Sequence, residues 1–152
     1  MKRVQRWRYY CDHCKKAGNS GGHMKKHEAS CTLNPARVCR MCAHIGDGQA
    51  DMAEMLALLP DPKPFESIVH HEADEWMPAY DENCFDHEGF NAAMAPALKA
   101  LRDLTTSCPA CILAALRQKG IPVPAVEGFD FKAELKEFWD SVNNERFERE
   151  WY

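Results

Sequence analysis

Apolar residues repeat at helical spacing in four segments of this chain. Residues 50–59, 90–104, 111–119 and 132–143 place apolar side chains three or four positions apart, which predicts amphipathic helices. We expect these stripes to form the core, because a stripe of this kind more often packs inside a protein than binds a partner. Their members include Ala50, Ala53, Met55, Leu56, Leu59, Met94, Ala97, Leu98, Leu101, Leu135, Phe138, Trp139 and Val142.

Prolines and glycines mark the ends of these helices. Three prolines between residues 60 and 64 end the first helix, because proline lacks an amide hydrogen and restricts the residue before it. Pro96 lies in the second segment and moves its predicted start to about Ala95. Gly120 ends the third helix, and Asp130 is the predicted cap of the fourth.

The composition is that of a small soluble protein. The 152 residues, 45% of them hydrophobic and fifteen of them aromatic, suffice for one compact domain with an added module. We find no transmembrane run, and the charged start of the chain is not followed by the apolar stretch of a signal peptide. Eight cysteines without a secretory signal predict metal ligands in a reducing compartment, and therefore a cytoplasmic protein.

The net charge of -4 conceals a strong polarity along the chain. Residues 1–42, called the basic head below, carry a net charge of +8, and residues 43–152 carry -12. Such a distribution favours a head that binds a polyanion and a body that binds protein or stays solvated. The alternative is that the two parts complement each other inside one fold or in a dimer.

The basic head contains the motif Cys11-x2-Cys14-x12-His27-x3-Cys31. Thiolate and imidazole are the ligands that zinc prefers, and four of them complete its tetrahedron. His27 and Cys31 are four positions apart and would project from one face of a helix. We therefore predict a first zinc ion held by these four residues.

Two other histidines compete for this site. A set of Cys11, Cys14, His23 and His27 is chemically possible, and His13 is also close in sequence. That set leaves only eight residues between Cys14 and His23, whereas the longer loop to His27 suits a hairpin that turns into a helix. The pair formed by His27 and Cys31 is therefore preferred.

The motif resembles the two-cysteine, two-histidine zinc-finger superfamily over residues 7–33, with Cys31 as the last ligand. Tyr9 and Met24 occupy positions where that family keeps an aromatic residue and a leucine, and Gly18 replaces its core phenylalanine. The resemblance implies a short hairpin followed by a helix that begins near Ser20. The overall organisation is similar to that of small phage-encoded or bacterial zinc-finger proteins.

The same resemblance implies contacts with nucleic acid. It would place Ser20, Gly22, His23 and Lys26 towards the major groove, although two of these side chains have little reach. Basic residues alternate with aromatic ones from residue 3 to residue 10, a pattern that suits phosphate contacts and base stacking. The predicted nucleic-acid-binding residues are Arg3, Arg6, Arg8, His23, Lys25 and Lys26.

A second zinc site is predicted from two further Cys-x2-Cys pairs. Cys39 and Cys42 follow the first motif closely, and Cys108 and Cys111 lie far downstream. Each pair is a local turn, so the two can share one ion whatever the length of the insert. This assignment predicts two zinc ions per chain and leaves Cys84 without a metal.

The downstream pair also fits a redox motif. The run from Cys108 to Cys111 has the spacing of a thioredoxin-type site, which normally follows a buried strand. The preceding residues 98–107 read instead as the end of a helix and a turn, so zinc is preferred.

The acidic middle of the chain allows an enzymatic hypothesis. Residues 65–71 form a short segment that suits either a helix or a strand, and the order of His70, His71, Asn83 and His87 resembles the His-Asn-His nucleases. In that resemblance His71 is the general base, and His70 and His87 hold a divalent ion. The alternative is a solvated acidic loop whose histidines have no catalytic role.

The pattern as a whole predicts a mainly α protein with little β structure. A ββα-like finger at residues 1–36 precedes a helical domain at 37–152. The four-cysteine site holds this domain together by joining the pairs at 39–42 and 108–111. Three function classes follow. The first is a zinc protein that binds nucleic acid or has a regulatory role. The second is an adaptor whose acidic helical body recruits a protein, and the third is a metal-dependent nuclease. The first is preferred.

Overall fold

The structure, a computed structural model, describes the backbone of residues 7–46 and 48–151 and the side chains as far as residue 144. It is mainly helical, with two small antiparallel hairpins. In chain order the elements are β1 (Tyr9–Tyr10), β2 (Ala17–Gly18), α1 (Gly21–Ala29), α2 (Arg40–Ile45), α3 (Met52–Leu58), β3 (Glu66–His71), β4 (Tyr80–Phe85), α4 (His87–Leu104), α5 (Pro109–Gln118) and α6 (Phe131–Trp151). Single 3-10 turns lie at Lys63–Phe65 and Val123–Ala125.

The larger hairpin decides the conformation of the segment before His71. β3 pairs with β4 along six residues, from Glu66 opposite Phe85 to His71 opposite Tyr80. The short apolar pattern of this segment suited both a helix and a strand, and the partner strand selects the strand. The residues after it also form an ordered strand, so the acidic middle is not simply a solvated loop.

Helix α4 is longer than predicted. It begins at His87 and not near Ala95, and Pro96 lies inside it. The side chain of Asp86 accepts a hydrogen bond from a backbone amide of the first turn, and Phe90 is fully buried there. Capping and burial stabilise the turns before Pro96 and offset the hydrogen bond that proline cannot donate.

The starts of the other helices follow from local capping. Asp51 caps α3 and Asp130 caps α6, each through its Oδ1 atom and two backbone amides. Helix α5 begins at Pro109, two residues earlier than predicted, because proline suits the first helical position. Gly120 follows α5 with a φ of 79°, a conformation that favours glycine. No helix in the described part of the chain is both long enough and apolar enough to cross a membrane.

Helix α5 lies at the centre of the main core. Residues 112–116 are all buried, so that every face of this helix is covered, as expected for an apolar helix inside a domain. Helices α3 and α6 pack directly against it, and α3 also contacts α4. The largest fully buried side chains of this core are Phe90, Met55, Met94, Leu101, Ile112 and Leu116.

We predict that Leu101→Ala lowers the free energy of unfolding by about 2–5 kcal/mol, because it opens a cavity at a fully buried site. Leu104→Ala, one turn further along the same helix but 37% exposed, should cost much less. Urea unfolding of the zinc-saturated variants measures both values. Equal losses for the two variants would contradict this description of the core.

Candidate metal centres

The first cluster brings together Cys11, Cys14, His27 and Cys31. Their ligand atoms all lie within 4.8 Å of one another, and the Sγ atom of Cys14 is 3.2 Å from Nε2 of His27. The two upstream cysteines lie in the turn between β1 and β2, whereas His27 is in the last turn of α1. Neither His13 nor His23 belongs to the cluster, so the preferred ligand set is the one that the fold assembles.

Backbone hydrogen bonds hold this cluster together. The amide of Cys11 donates to the carbonyl of Lys16, which closes the turn that carries the first two cysteines. Glu28 connects the two halves: its side chain accepts from the amide of Asp12 at 2.8 Å, and its carbonyl accepts from the amide of Cys31 at 3.2 Å. The four ligand atoms are therefore positioned by local structure.

Few apolar side chains support residues 7–33, which carry the first cluster and are called the first module below. Among its described residues, the buried apolar cluster consists of Cys11, Met24 and Cys31, with Cys14 packed against it. A Cβ atom on Gly18 would lie 3.2 Å from Cε of Met24, so the methionine side chain fills the space beside this glycine. Trp7 remains 85% exposed. A unit this small cannot fold on such limited burial, so a metal ion would have to supply the stabilisation.

Protonation in the first cluster differs between its cysteines. Hydrogen bonds from the amide of Lys16 and from His27 lower the pKa of Cys14 to about 7. Burial raises the pKa of Cys31. The exposed edge of the cluster thus offers a thiolate near neutral pH, whereas the buried edge needs a cation to favour its charged form.

The second cluster joins the two distant cysteine pairs. The Sγ atoms of Cys39 and Cys108 are 3.7 Å apart, and those of Cys42 and Cys111 are 3.6 Å apart. Four sulfurs about 2.3 Å from a tetrahedral metal ion would be about 3.8 Å from one another, whereas a disulfide bond measures about 2.0 Å. The spacing therefore fits four ligands of one metal ion, and all four residues are buried.

Each cysteine pair lies at the start of a helix. Cys39 immediately precedes α2, and Cys108 immediately precedes α5. Their carbonyl groups accept the first helical hydrogen bonds, from the amides of Ala43 and Ile112. This repeated geometry points both pairs of sulfurs into the same space. The spacing of the residues suffices to form each turn, but the packing of α2 near α5 makes the cluster.

Burial limits the charge that this cluster can hold without a metal. The hydrogen bond from Cys108 lowers the pKa of Cys39, whereas burial and the charge of Cys108 raise the pKa of Cys42 to about 12. The hydrogen bond with Cys108 also raises the pKa of Cys111. Most of these thiols therefore stay protonated until a divalent cation binds and releases their protons.

A buried arginine lies beside the second cluster. Arg37 is only 5% exposed, and its Nη1 atom donates to Sγ of Cys111 at 3.7 Å. Its Nε atom is buried and has no hydrogen-bond partner within the described residues. A buried cation is costly unless an anion lies close by. Four thiolates around a divalent ion carry a net charge of about -2, and so Arg37 fits a metal-loaded cluster better than four neutral thiols.

The segment 32–38 joins the two clusters through polar contacts. Gln118, at the end of α5, donates to the carbonyls of Thr32 and Asn34, at 3.0 and 3.1 Å. Gln49 donates to the carbonyl of Arg37 at 3.0 Å and accepts from the amide of Cys39. Hydrogen bonds therefore connect the first module to the rest of the chain, and its small apolar cluster is separate from the main core. Sequence reasoning missed these residues, because isolated polar residues carry no periodic signal.

The predicted nucleic-acid-binding residues lie on one exposed module where the structure describes them. Arg8, His23, Lys25 and Lys26 are all exposed, and Arg3 and Arg6 lie outside the described residues. None of the basic head's lysines or arginines forms an ion pair within the part of the chain that is described. The hydroxyl of Ser20 accepts from the amide of His23, so it caps α1 and is occupied there.

The residues of the nuclease hypothesis are not brought together. Nδ1 of His70 lies 2.6 Å from Oδ1 of Asp81, and Nε2 of His71 lies 3.0 Å from Oε2 of Glu82. Both contacts cross the strand pair. His87 lies beyond the other end of β4, so roughly 17 Å of extended strand separates it from the residues opposite His71. Among the described residues, no metal-ligand cluster contains these histidines. The divalent-ion site that this hypothesis requires is therefore not formed.

Ligand substitutions should distinguish the two clusters. We expect Cys111→Ser to bind one metal ion fewer than the wild-type chain, because it removes a sulfur from the second cluster. Cys84→Ser is the matched control, since Cys84 lies on β4 and outside both clusters. Metal content per chain, measured on protein purified with zinc, reports both results. A loss of metal in Cys84→Ser would overturn the assignment.

Substitution of the buried arginine should weaken the second cluster. We expect Arg37→Met to lower the metal affinity of that cluster by about 10–100-fold, because a neighbour that supports the ligands is lost. Arg40→Met removes an exposed arginine three residues away and should leave the affinity unchanged. Chelator competition measures the affinity. Equal affinities for Arg37→Met and the wild type would show that its charge does not support the metal.

The two clusters indicate zinc binding by their chemistry. Searches against protein-family models, curated proteins and solved structures gave no match for this chain. The function must therefore be inferred from the two clusters and from the charged surfaces that they hold in place.

Proposed function

We propose that this chain is a zinc protein that binds nucleic acid through its basic head, with both metal ions in structural roles. The observation that carries the proposal is the set of exposed cations on the first module, none of which forms an ion pair among the described residues. A polyanion such as nucleic acid is the ligand that such a surface favours.

Zinc fits the donor atoms of both clusters. Three thiolates with one imidazole, and four thiolates, are the ligand sets of structural zinc sites. Each cluster supplies all four ligands, so that no position is left for a substrate or a reactive water. The ions would supply folding free energy, which for small zinc modules amounts to about 10–16 kcal/mol.

The order of elements in the first module supports its likeness to a single zinc finger. A short hairpin of β1 and β2 precedes α1, and Lys25 and Lys26 lie on the exposed side of that helix. Ser20 is engaged as the helix cap, and Gly22 has no side chain with which to read a base. We therefore propose binding dominated by phosphate contacts, with little sequence specificity.

Two exposed aromatic residues extend this surface. Trp7 and Tyr10 are 85% and 64% exposed, and the guanidinium of Arg8 lies 5.9 Å from the centre of the Tyr10 ring. Flat exposed rings beside cations are suited to stacking on unpaired bases. Single-stranded segments are therefore included among the proposed ligands.

An adaptor role is the second candidate. It is favoured by the exposed hairpin of β3 and β4, which combines carboxylates with apolar side chains such as Ile68 and Trp76. A protein partner would then be recruited by this hairpin and not by the apolar stripes of α3, α4 and α5, whose largest members are buried in the core.

The salt dependence of binding tests the proposal. Zinc-loaded protein should bind short duplex and single-stranded DNA or RNA, and the affinity should fall steeply with salt, with a log–log slope of about 0.9 per duplex phosphate contacted. Lys25→Ala/Lys26→Ala should weaken binding to all sequences and lower the slope by up to about 2. Fluorescence anisotropy at several salt concentrations measures both quantities.

A matched control removes two exposed lysines from the body, with Lys99→Ala/Lys132→Ala. This variant should bind as the wild type does if the head is the contact surface. No binding at low salt by the zinc-loaded wild type would contradict the proposed function and leave the adaptor role.

A further inference from the structure

The hairpin formed by residues 66–85, called the acidic hairpin below, is exposed on both faces. Ile68 and Val69 point to opposite faces of the strand pair, since neighbouring residues of a strand alternate, and they are 71% and 41% exposed. An isolated two-stranded hairpin is only marginally stable in water. Large apolar side chains on both of its faces therefore indicate a surface that is covered by another molecule.

Hydrogen bonds hold the tip of the acidic hairpin in a turn that exposes two large apolar side chains. The side chain of Asp74 accepts hydrogen bonds from the amides of Trp76 and Met77, at 2.8 and 2.7 Å, and the amide of Asp74 donates to the carbonyl of Met77. This turn presents Trp76, which is 84% exposed, and Met77, which is 54% exposed. Tryptophan is among the residues most often found at the energetic centre of a protein interface.

The charge of this hairpin defines the chemistry of its partner. Residues 66–85 contain six carboxylates and no lysine or arginine. Asp81 and Glu82 are paired with histidines, whereas Glu66, Glu72, Asp74 and Glu75 have no cationic partner within the described residues. The partner should therefore be basic and should offer an apolar contact for the tip.

The basic head of the same chain has the matching properties. It exposes six lysines and arginines in its described part, together with Trp7 and Tyr10. Neither surface forms an ion pair with the other inside one chain, as far as the structure describes it. Where the structure describes them, the opposite charges of the head and the hairpin are therefore not paired inside one chain and can attract a second molecule.

We propose that the acidic hairpin docks on the basic head of a second copy of this chain. In a reciprocal pair the hairpin of each copy contacts the head of the other, so the assembly closes as a dimer. In a one-way contact one head and one hairpin stay free, so further copies would add and form a filament. The reciprocal arrangement also doubles the buried area, towards the roughly 1,200–2,000 Å² of a specific interface. Trp76 would supply the apolar centre, and the carboxylates would supply orientation and salt sensitivity.

Exchange of the charges tests this pairing directly. One variant, Glu72→Lys/Glu75→Lys, reverses the charge at two positions of the hairpin and changes its net charge from -6 to -2. A second, Lys25→Glu/Lys26→Glu, reverses two positions of the head and changes the net charge of residues 1–42 from +8 to +4. Each variant alone should dimerise more weakly than the wild type, because two positions of one surface then have the same sign as the surface that they meet. An equal mixture should recover part of the lost affinity, because the two reversed positions of the hairpin then meet the two reversed positions of the head.

The measurement is sedimentation equilibrium of the zinc-loaded full chain over a range of concentrations, at low and at high salt and without nucleic acid. The wild type should dimerise and should dissociate as salt is added. Trp76→Ser/Met77→Ser should weaken the dimer by about tenfold or more, and Leu58→Ser, an exposed apolar position away from the hairpin, should not. Circular dichroism and metal content confirm that every variant is folded.

Other results overturn the proposal. If the wild type stays monomeric at all concentrations, the hairpin does not bind a second copy of this chain, and its partner is a different basic molecule. A dimer whose affinity in both charge variants equals that of the wild type is formed by another surface. Because nucleic acid is absent from this measurement, its outcome does not depend on whether the head binds nucleic acid.

Discussion

The convergence of four cysteine sulfurs at the starts of α2 and α5 is the constraint on which the rest of the main fold depends. The two pairs are separated by 65 residues, which contain α3, the acidic hairpin and α4. A metal ion shared by both pairs would close this long loop and would hold α5 beside α2. Loop closure grows only slowly in cost with length, so a long insert of this kind is tolerated.

Arg37 connects this constraint to the first cluster. Its guanidinium lies against Cys111, while its backbone belongs to the segment that follows Cys31. The polar contacts of Gln49 and Gln118 hold that segment in place. The exposed head is therefore carried by a module whose position depends on the second cluster, although its own ligands come from a separate part of the chain.

The charged surfaces lie outside the core. The core buries apolar side chains and the four cysteines of the second cluster, whereas the head and the acidic hairpin keep their opposite charges exposed. Exposed ion pairs contribute little to stability, so this separation costs the fold little. It does determine which partners can approach each end of the molecule, because long-range attraction depends on the sign of the local charge.

Features encoded over a few residues could be predicted from the sequence. The buried stripes of α3 and α4, the caps at Asp51 and Asp130, and the ligand spacing of the first cluster all depend on residues close together in the chain. The stripe of α6 was expected in the core, but its members are only half-buried. The start of α4 could not be predicted, because the burial of Phe90 outweighs the effect of Pro96. The same holds for β3, whose conformation is selected by a partner strand that begins nine residues later.

The sequence by itself determined the two kinds of metal ligand, the helical class and the polarity of charge, because residue type and short-range spacing are sufficient for each. Tertiary structure decided that the distant cysteine pairs meet, that Arg37 is buried beside them and that His71 is kept apart from His87. It also decided that the acidic hairpin extends into solvent. These outcomes depend on how whole elements pack, and packing energies are shared among residues far apart in the chain.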